Sequence, residues 1–265
     1  MQVFRGLPPP ALRTGCALTI GNFDGVHRGH QAMLALLTSE ARHRGLPSCV
    51  LTFEPHPRDF FARRLQRPEM APARICTLRD SVAELARCGV DQLVILRFDE
   101  ALASLSPEAF AEHILARGLG ARAVLVGDDF RFGAKRAGDY AMLDALGARL
   151  GFDVSRMLSY EVHGLRVSSS AVRDALAAGD LAQAATLLGR PWSLSGRAIH
   201  GAKLGRTLGF RTLNLKVRHA KPAATGIFVA RVHGLADAPV PGVASLGVRP
   251  TVEDAGRLLL EVHCL

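Results

Sequence analysis

Apolar and polar positions alternate in blocks over the first two thirds of the chain. Short continuous apolar runs lie at residues 17–20, 49–53, 93–98, 123–126 and 152–154. Between these runs, apolar residues recur at helical spacing in residues 31–44, 78–88, 107–116 and 140–151. Continuous apolar strands joined by helices are typical of a parallel sheet that is covered on both faces. The pattern therefore predicts an α/β domain with a Rossmann-like parallel sheet over residues 1–187.

The pattern changes after residue 188. Residues 189–195 are typical of a linker, and helical periodicity is absent beyond them. Short apolar runs separated by turns lie at residues 196–200, 226–232, 242–246 and 258–265. They predict a small antiparallel β-barrel domain over residues 188–265. Because the sequence ends within the last run, we expect an incomplete barrel whose last strand has a partner on one side only.

Composition favours a globular protein that binds a small molecule. Of the 265 residues 48% are hydrophobic, and no run of about 18 apolar residues could cross a membrane. The N-terminus has no signal pattern, and five scattered cysteines favour free thiols in a reducing cytoplasm. The net charge of +9 comes from arginines spread along the chain, which favours a small polyanionic ligand over nucleic acid. We expect a cytoplasmic protein with neither a nucleic-acid nor a membrane partner, and the sequence predicts no particular oligomeric state.

The loop after the first apolar run is the strongest candidate binding site. Residues 21–31 read Gly-Asn-Phe-Asp-Gly-Val-His-Arg-Gly-His-Gln, and a helical pattern follows at once. Glycines let backbone N–H groups approach a phosphate, and a helix N-terminus favours an anion. His27 and His30 can add donors to charge that develops on a reacting phosphate. Besides the histidines, the phosphate site would include Gly21, Asn22, Phe23, Asp24, Gly25 and Gly29. The alternative interpretation of this segment is a glycine-rich turn with two solvated histidines.

Two further segments follow apolar runs at predicted carboxyl ends of strands, where ligands bind in such sheets. In the first, Pro55 and Pro57 fix the turn after Phe53. Phe53, Phe60 and Phe61 can form an apolar wall for a flat ring, and an ordinary proline-stiffened loop is the alternative. In the second, Asp129 can hydrogen-bond a substrate or help to hold a magnesium–phosphate complex, and Phe132 can pack on an aromatic ligand. For Asp128 the alternative is a role in a turn or as a cap.

Serines and arginines surround the start of another predicted helix at residues 166–173. One serine is a candidate N-cap, and the other serines can offer N–H and O–H donors there. Arg166 and Arg173 flank them as candidate phosphate ligands, because a guanidinium matches phosphate geometry.

A glycine-rich loop followed by a Thr-x-Asn pair lies near the start of the second domain. Gly201 and Gly205 can let the backbone approach a phosphate, and the oxygens of Thr212 and Asn214 suit Mg²⁺. A glycine-rich hairpin is the alternative interpretation of this segment.

Residues 21–31, 53–57, 127–133 and 166–173 resemble the adenylyltransferase module of the bacterial bifunctional riboflavin kinase/FAD synthetases. The resemblance extends over residues 14–187 and implies transfer of AMP from ATP to FMN, which gives FAD and pyrophosphate. It implies that His27 and His30 contact the ATP phosphates and that Asp129 lies near the reacting phosphates. The ATP side would also include Arg166, Ser168, Ser169 and Arg173. Near the flavin would lie Phe53, Pro55, Pro57, Phe130 and Phe132.

The second domain resembles the flavokinase module of the same enzymes, which phosphorylates riboflavin with MgATP. The resemblance implies that Thr212 and Asn214 bind Mg²⁺ and that Glu261 activates the ribityl hydroxyl of riboflavin. Arg211 stands where the family has a proline, and the family continues well past Glu261. We therefore expect FAD synthesis from FMN, together with impaired riboflavin phosphorylation because the strand of Glu261 has one unpaired side.

Overall fold

The computed structural model describes residues 1–162, 164–199, 212–217, 221–248 and 258–265. These residues form two compact units. The first unit comprises Met1–Pro72 and Ser81–Ser168, and the second comprises Ala73–Asp80 and Ser169–Leu265. The domain boundary expected between residues 187 and 188 stays a prediction.

A six-stranded parallel sheet forms the centre of the first unit. Its strands are β1 (Gln2–Arg5), β2 (Cys16–Ile20), β3 (Ser48–Glu54), β4 (Gln92–Arg97), β5 (Ala121–Gly127) and β6 (Asp153–Met157). They are arranged in the order β1-β4-β3-β2-β5-β6, and every neighbouring pair is parallel. Each of the five apolar runs coincides with one of these strands, so the expected Rossmann-like parallel sheet is confirmed. Only β1 was missed.

Helices and short turns connect the strands of the first unit. The connecting helices are α1 (Arg28–His43), α2 (Pro57–Arg64), α3 (Leu78–Arg87), α4 (Glu100–Ala103), α5 (Pro107–Ala109), α6 (Arg117–Leu119) and α7 (Tyr140–Leu150). A π-helical segment, Phe110–Ala116, joins α5 directly to α6. After β6, a short hairpin is formed by β7 (Glu161–Val162) and β8 (Leu165–Arg166). The core lies around the inner strands, where Leu18, Leu51 and Val94 are fully buried.

The second unit contains α8 (Ser169–Ala177), α9 (Leu181–Leu188) and an antiparallel sheet. The sheet strands are β9 (Arg197–Ile199), β10 (Thr212–Lys216), β11 (Gly226–Val232), β12 (Val240–Val248) and β13 (Leu258–Cys264). Their order is β11-β12-β13-β10-β9, which confirms an antiparallel β domain after the parallel one.

The position of β13 corrects one expectation. This strand pairs with β12 along one side and with β10 along the other. The expectation that it has a partner on one side only is wrong, because the sequence does not show that β10 returns to lie beside it. Alternate residues of β13, Leu258, Leu260 and Val262, are buried in the core of this unit.

In the described part of the chain, no helix has the length and the apolar character needed to cross a membrane. All five cysteines are free thiols, and Cys16, Cys49 and Cys76 are buried.

Candidate active site of the first unit

The order of the parallel strands places two loops at a point where the chain changes direction. From β2 the chain moves through β3 and β4 toward one edge of the sheet, whereas β5 and β6 lie on the other side of β2. Ligands of such sheets bind outside the carboxyl ends of the strands at this switch point. The loop after β2 carries the H-x-G-H motif, and the loop after β5 carries Asp128 and Asp129. We call them the H-x-G-H loop (residues 21–30) and the aspartate loop (residues 128–139).

The H-x-G-H loop is held in an uncommon backbone conformation. Phe23 and Val26 have φ angles of 49° and 41°, and both side chains are fully buried. Positive φ is unusual for residues with a Cβ, most of all for a β-branched residue such as valine. The hydroxyl of Ser81 donates to the carbonyl of Phe23 (3.3 Å), and Gln31 Nε2 donates to the carbonyl of Val26 (2.9 Å). Core packing and these bonds therefore fix the course of the loop.

His27 and His30 form a stacked pair at the start of α1. His27 is the N-cap, and its Nδ1 accepts a hydrogen bond from the backbone N–H of His30 (3.3 Å). The ring centroids are 3.6 Å apart with an interplanar angle of 15°, and the ring of Phe23 lies 4.9 Å from that of His30. Because Nδ1 of His27 accepts, the proton of the neutral ring lies on Nε2. The pair therefore lies at a helix end that attracts anions.

Gly29 allows this pair to pack closely. A Cβ on Gly29 would lie 3.3 Å from Cε1 and Nδ1 of His27 and 3.3 Å from the carbonyl oxygen of Val167. The segment that follows β8 therefore lies directly against the start of α1. The packing of His27 and Val167 around this position therefore favours glycine, whether or not a ligand also approaches its backbone.

The remaining predicted residues of this loop differ in exposure. Asp24 is 1% exposed and Gly25 is buried with a φ of 83°, whereas Asn22 is exposed. The backbone N–H of Gly21 donates to the carbonyl of Leu51 (3.1 Å), which ties the loop to β3. Asp24 thus belongs to the interior of the loop, while Asn22 faces solvent.

Two neighbouring carboxylates of the aspartate loop have different surroundings. Asp128 accepts from Ser159 Oγ (2.6 Å) and from Arg166 Nη2 (3.3 Å), and the same Nη2 lies 3.4 Å from Asp129 Oδ2. The side chain of Asp128 is 32% exposed and that of Asp129 is 81% exposed. The hydrogen bond from Ser159 and the charge of Arg166 lower the pKa of Asp128, although desolvation opposes them. Sequence reasoning identified Asp129 and Arg166 but missed Ser159.

Phe132 fills a glycine-lined socket in the core. It is 6% exposed and packs on Phe110, with ring centroids 6.0 Å apart, and on Phe130, with centroids 5.5 Å apart. A Cβ on Gly138 would lie 2.5 Å from the ring of Phe132, and the two residues exchange backbone hydrogen bonds. This packing anchors the aspartate loop. The half-buried Phe130 is the more accessible of the two rings.

The predicted apolar wall near β3 is an aromatic cluster around Phe98. The rings of Phe53, Phe60 and Phe61 lie edge-on to Phe98 at 5.4–5.9 Å. Pro55 follows a cis peptide bond, and both Pro55 and Pro57 are half-buried. Sequence reasoning missed Phe98, which ends an apolar run and carries no motif.

The serine–arginine segment is divided between the two units. Arg166 and Ser168 belong to the first unit, and Ser169 and Arg173 belong to the second. Within the second unit, Nε of Arg173 donates to the carbonyl of Ala73 (2.6 Å). Arg173 therefore fastens residues 73–80 to α8.

Candidate kinase residues of the second unit occupy one face of its sheet. Asn214 lies directly opposite Glu261 on β13, and Glu261 lies opposite Ser245 on β12. Thr212 is two residues before Asn214 and opposite His263, so it shares their face. Asn214 is 8% exposed and Thr212 is exposed. The predicted phosphate glycines, Gly201 and Gly205, lie outside the described residues.

No group of three or more His, Cys, Asp or Glu side chains that could hold a metal ion occurs among the residues that the structure describes. Oxygen donors such as Thr212 and Asn214 suit Mg²⁺ when phosphate oxygens complete its coordination. A metal bound with nucleotide is consistent with this donor set.

Comparison with known proteins gives matches over both units. A family model described as FAD synthetase matches residues 10–171, and one described as riboflavin kinase matches residues 188–265. Bifunctional riboflavin kinase/FMN adenylyltransferases from Escherichia coli strain K12 and Pseudomonas fluorescens are 46% and 48% identical over 267 residues, which span 100% of this chain and 83% of each relative. A solved structure described as a macrolide-efflux protein from Streptococcus pneumoniae has a TM-score of 0.77 at 25% identity, over 99% of this chain and 84% of that one.

Proposed function

The chain belongs to the family of bifunctional riboflavin kinase/FMN adenylyltransferases, and we propose that its H-x-G-H loop is the site of AMP transfer from ATP to FMN. The protein is a transferase with FMN adenylyltransferase and riboflavin kinase activities. Its substrates are ATP, FMN and riboflavin, and its product is FAD. That it acts in the cytoplasm, without nucleic acid, stays a prediction from its composition.

In the adenylyl transfer, a phosphate oxygen of FMN attacks the α-phosphorus of ATP. The bond from that phosphorus to the bridging oxygen breaks, and pyrophosphate leaves with the electron pair. No residue of the protein needs to form a covalent bond, so its contribution is positioning and stabilisation of negative charge.

The stacked histidines at the N-terminus of α1 carry this proposal. His27 caps the helix through Nδ1, so Nε2 carries the proton of the neutral ring and is the atom that would donate to phosphate oxygen. His30 lies on the same helix end, where the helix dipole adds to the attraction of an anion. On the other side of the switch point, Asp129 and Arg166 offer a solvent-exposed carboxylate and a guanidinium. We propose that Arg166 binds ATP phosphate and that Asp129 lies near the reacting phosphates.

For riboflavin phosphorylation, we propose that Glu261 accepts the proton of the ribityl hydroxyl that attacks the γ-phosphorus of ATP. Asn214, which lies opposite Glu261, and Thr212 would hold the Mg²⁺ that enters with ATP as its magnesium complex. A carboxylate and two oxygen donors on one sheet face support this assignment. The contacts expected from Ser169 and Arg173 with ATP, and from Phe53, Pro55, Pro57, Phe130 and Phe132 with the flavin, stay predictions.

The expected impairment of riboflavin phosphorylation also stays a prediction. An unpaired side of β13 cannot be its cause, because β13 has a partner on each side. Glu261 is therefore held by two ladders. A general base needs such fixed geometry to lie within hydrogen-bond reach of the proton it accepts.

One assay with two variants tests these assignments. The protein is incubated with MgATP and either FMN or riboflavin, and the flavin products are separated by chromatography. His30→Ala removes a donor to transition-state charge and should lower FAD formation by about 10²–10³-fold, with little change in FMN affinity. Glu261→Gln removes the base and should lower FMN formation from riboflavin.

The two variants control each other. Each should leave the reaction of the other unit close to the wild-type rate, since their residues lie in different units. Wild-type FAD formation in the His30→Ala variant would remove this histidine from the mechanism. Absence of FAD formation by the wild-type protein would overturn the proposed site.

A further inference from the structure

The aspartate loop carries two consecutive carboxylates, Asp128 and Asp129. The proposed adenylyltransferase site gives a role to Asp129 and none to Asp128. The side chain of Asp129 is 81% exposed, and its one hydrogen bond within the described residues is the long one from Arg166 (3.4 Å). Asp128 is 32% exposed and uses both of its oxygens. Their different surroundings indicate different tasks.

The contacts of Asp128 join the ends of two neighbouring sheet strands to the hairpin that follows them. Asp128 follows β5 directly, and Ser159 follows β6, which is paired with β5 up to Gly127 and Met157. Ser159 Oγ donates to Oδ2 of Asp128 (2.6 Å), which leaves Oδ1 to accept from Arg166 Nη2 (3.3 Å). Arg166 ends β8, so the carboxylate connects two strand ends and the hairpin.

The residue that follows Arg166 in the chain lies against the H-x-G-H loop. This residue, Val167, is 6% exposed, and its carbonyl oxygen lies 3.3 Å from the position of a Cβ on Gly29. The backbone N–H of Val167 donates to the carbonyl of Tyr160 (2.9 Å), which closes the base of the hairpin. The backbone of Arg166 is therefore fixed beside the two histidines, whereas its long side chain has several rotatable bonds that must be restrained separately.

We propose that Asp128, held by Ser159, is a positioning residue that fixes the guanidinium of Arg166 beside the H-x-G-H loop for binding ATP phosphate. The inference rests on the proposed adenylyltransferase site. A guanidinium has five N–H donors, and within the described residues the contacts of Arg166 with carboxylates use Nη2 alone. The remaining donors are then presented to an anion without a prior search among rotamers, which lowers the entropic cost of binding.

The test is a double-mutant cycle on FAD formation, measured as kcat/KM for ATP at saturating FMN. Arg166→Ala should lower this value by about 10²-fold, and Asp128→Asn by about 10-fold, mainly through KM. The double variant should be no worse than Arg166→Ala alone, because Asp128 acts through the arginine. Ser159→Ala should lower kcat/KM for ATP to a smaller extent, again mainly through KM. This variant tests the same inference if Asp128→Asn does not fold.

Asp153→Asn is the matched control. Asp153 forms an exposed ion pair with Arg44 (2.6 Å), but it lies at the start of β6, at the opposite end of the strand from Ser159. Its loss should leave kcat/KM for ATP unchanged. If the effects of Asp128→Asn and Arg166→Ala multiply, or if Asp128→Asn has the wild-type value, the inference is overturned while the proposed function stands. If the wild-type protein forms no FAD, both are overturned.

Discussion

Substitution of Gly29 by alanine separates the geometry of the histidine pair from the stability of the fold. The new Cβ would lie 3.3 Å from two atoms of the His27 ring and 3.3 Å from the carbonyl oxygen of Val167. Carbon atoms in ordinary contact are about 3.5–4.0 Å apart, so the His27 ring must move by a few tenths of an ångström. Since that ring is stacked on His30 at 3.6 Å, the shift affects both histidines.

The expected change in stability is small because two effects oppose each other. Gly29 lies inside α1, where alanine is favoured over glycine by about 0.5–1 kcal/mol. The close contacts cost a comparable amount, so the melting temperature should change by less than about 4 °C. For the rate of FAD formation, no favourable effect offsets the displacement of the His27 ring. A misplacement of 1 Å can cost about 10²-fold in rate, and a few tenths of that distance should cost about 10-fold in kcat for FAD formation.

Ser39→Ala is the control for helix propensity. Ser39 is exposed on the same helix, and alanine there should raise stability by a few tenths of a kcal/mol without changing turnover. FAD formation and thermal unfolding are measured on the same preparations of all three proteins. A Gly29→Ala variant with wild-type kcat, or one whose activity falls only in proportion to its unfolded fraction, would refute the steric argument.

Two further predictions concern the aspartate loop. Phe132→Ala should lower the free energy of unfolding by about 3–5 kcal/mol because the ring is buried between Phe110 and Gly138. Phe130→Ala should lower it less in the same denaturant titration, and weaker FMN binding by Phe132→Ala at unchanged stability would contradict the anchoring role. The lowered pKa of Asp128 means that its ionised form stabilises the folded state above the pKa of the unfolded chain, and that this contribution is lost as the pH falls through the lower folded-state pKa. The difference in unfolding free energy between the wild-type protein and Asp128→Asn should therefore be present at about pH 7 and shrink below about pH 4, and a difference that grows at acid pH would contradict this assignment.

Buried strands and the H-x-G-H loop are predictable from the sequence because their physical causes are local. The inner strands are buried on both faces, so they appear as continuous apolar runs. The edge strand β1 has exposed or half-exposed side chains and is held by its backbone pairing with β4. The residue types of β1 do not predict its pairing with β4. The same holds for β10, whose place beside β13 depends on contacts between residues about 50 positions apart.

The contacts of the aspartate loop depend on the register between β5 and β6, which cannot be inferred from the individual residues. Ser159 has no motif, and it reaches Asp128 only because β6 is paired with β5 up to Met157. From the sequence, Phe132 is expected to contact a ligand, because it follows a strand at its carboxyl end. Its neighbours Gly133 and Gly138 are the sequence signal for a buried socket, since a Cβ on either would overlap Pro107 or the ring of Phe132.

Each loop at the switch point carries two residues of the same type that differ in their surroundings. His27 is 6% exposed and uses one ring nitrogen to cap α1, while His30 is half-buried on the next turn. Asp128 is bonded to Ser159 and Arg166, while Asp129 is 81% exposed. His27 and Asp128 therefore hold neighbouring groups of the protein in place, in addition to any contact with a substrate. Substitution of Asp128 should accordingly change the site through Arg166, and substitution of His27 should remove both a helix cap and a donor to phosphate. Substitutions of His30 and Asp129 should remove direct contacts, so results from one member of a pair do not transfer to the other.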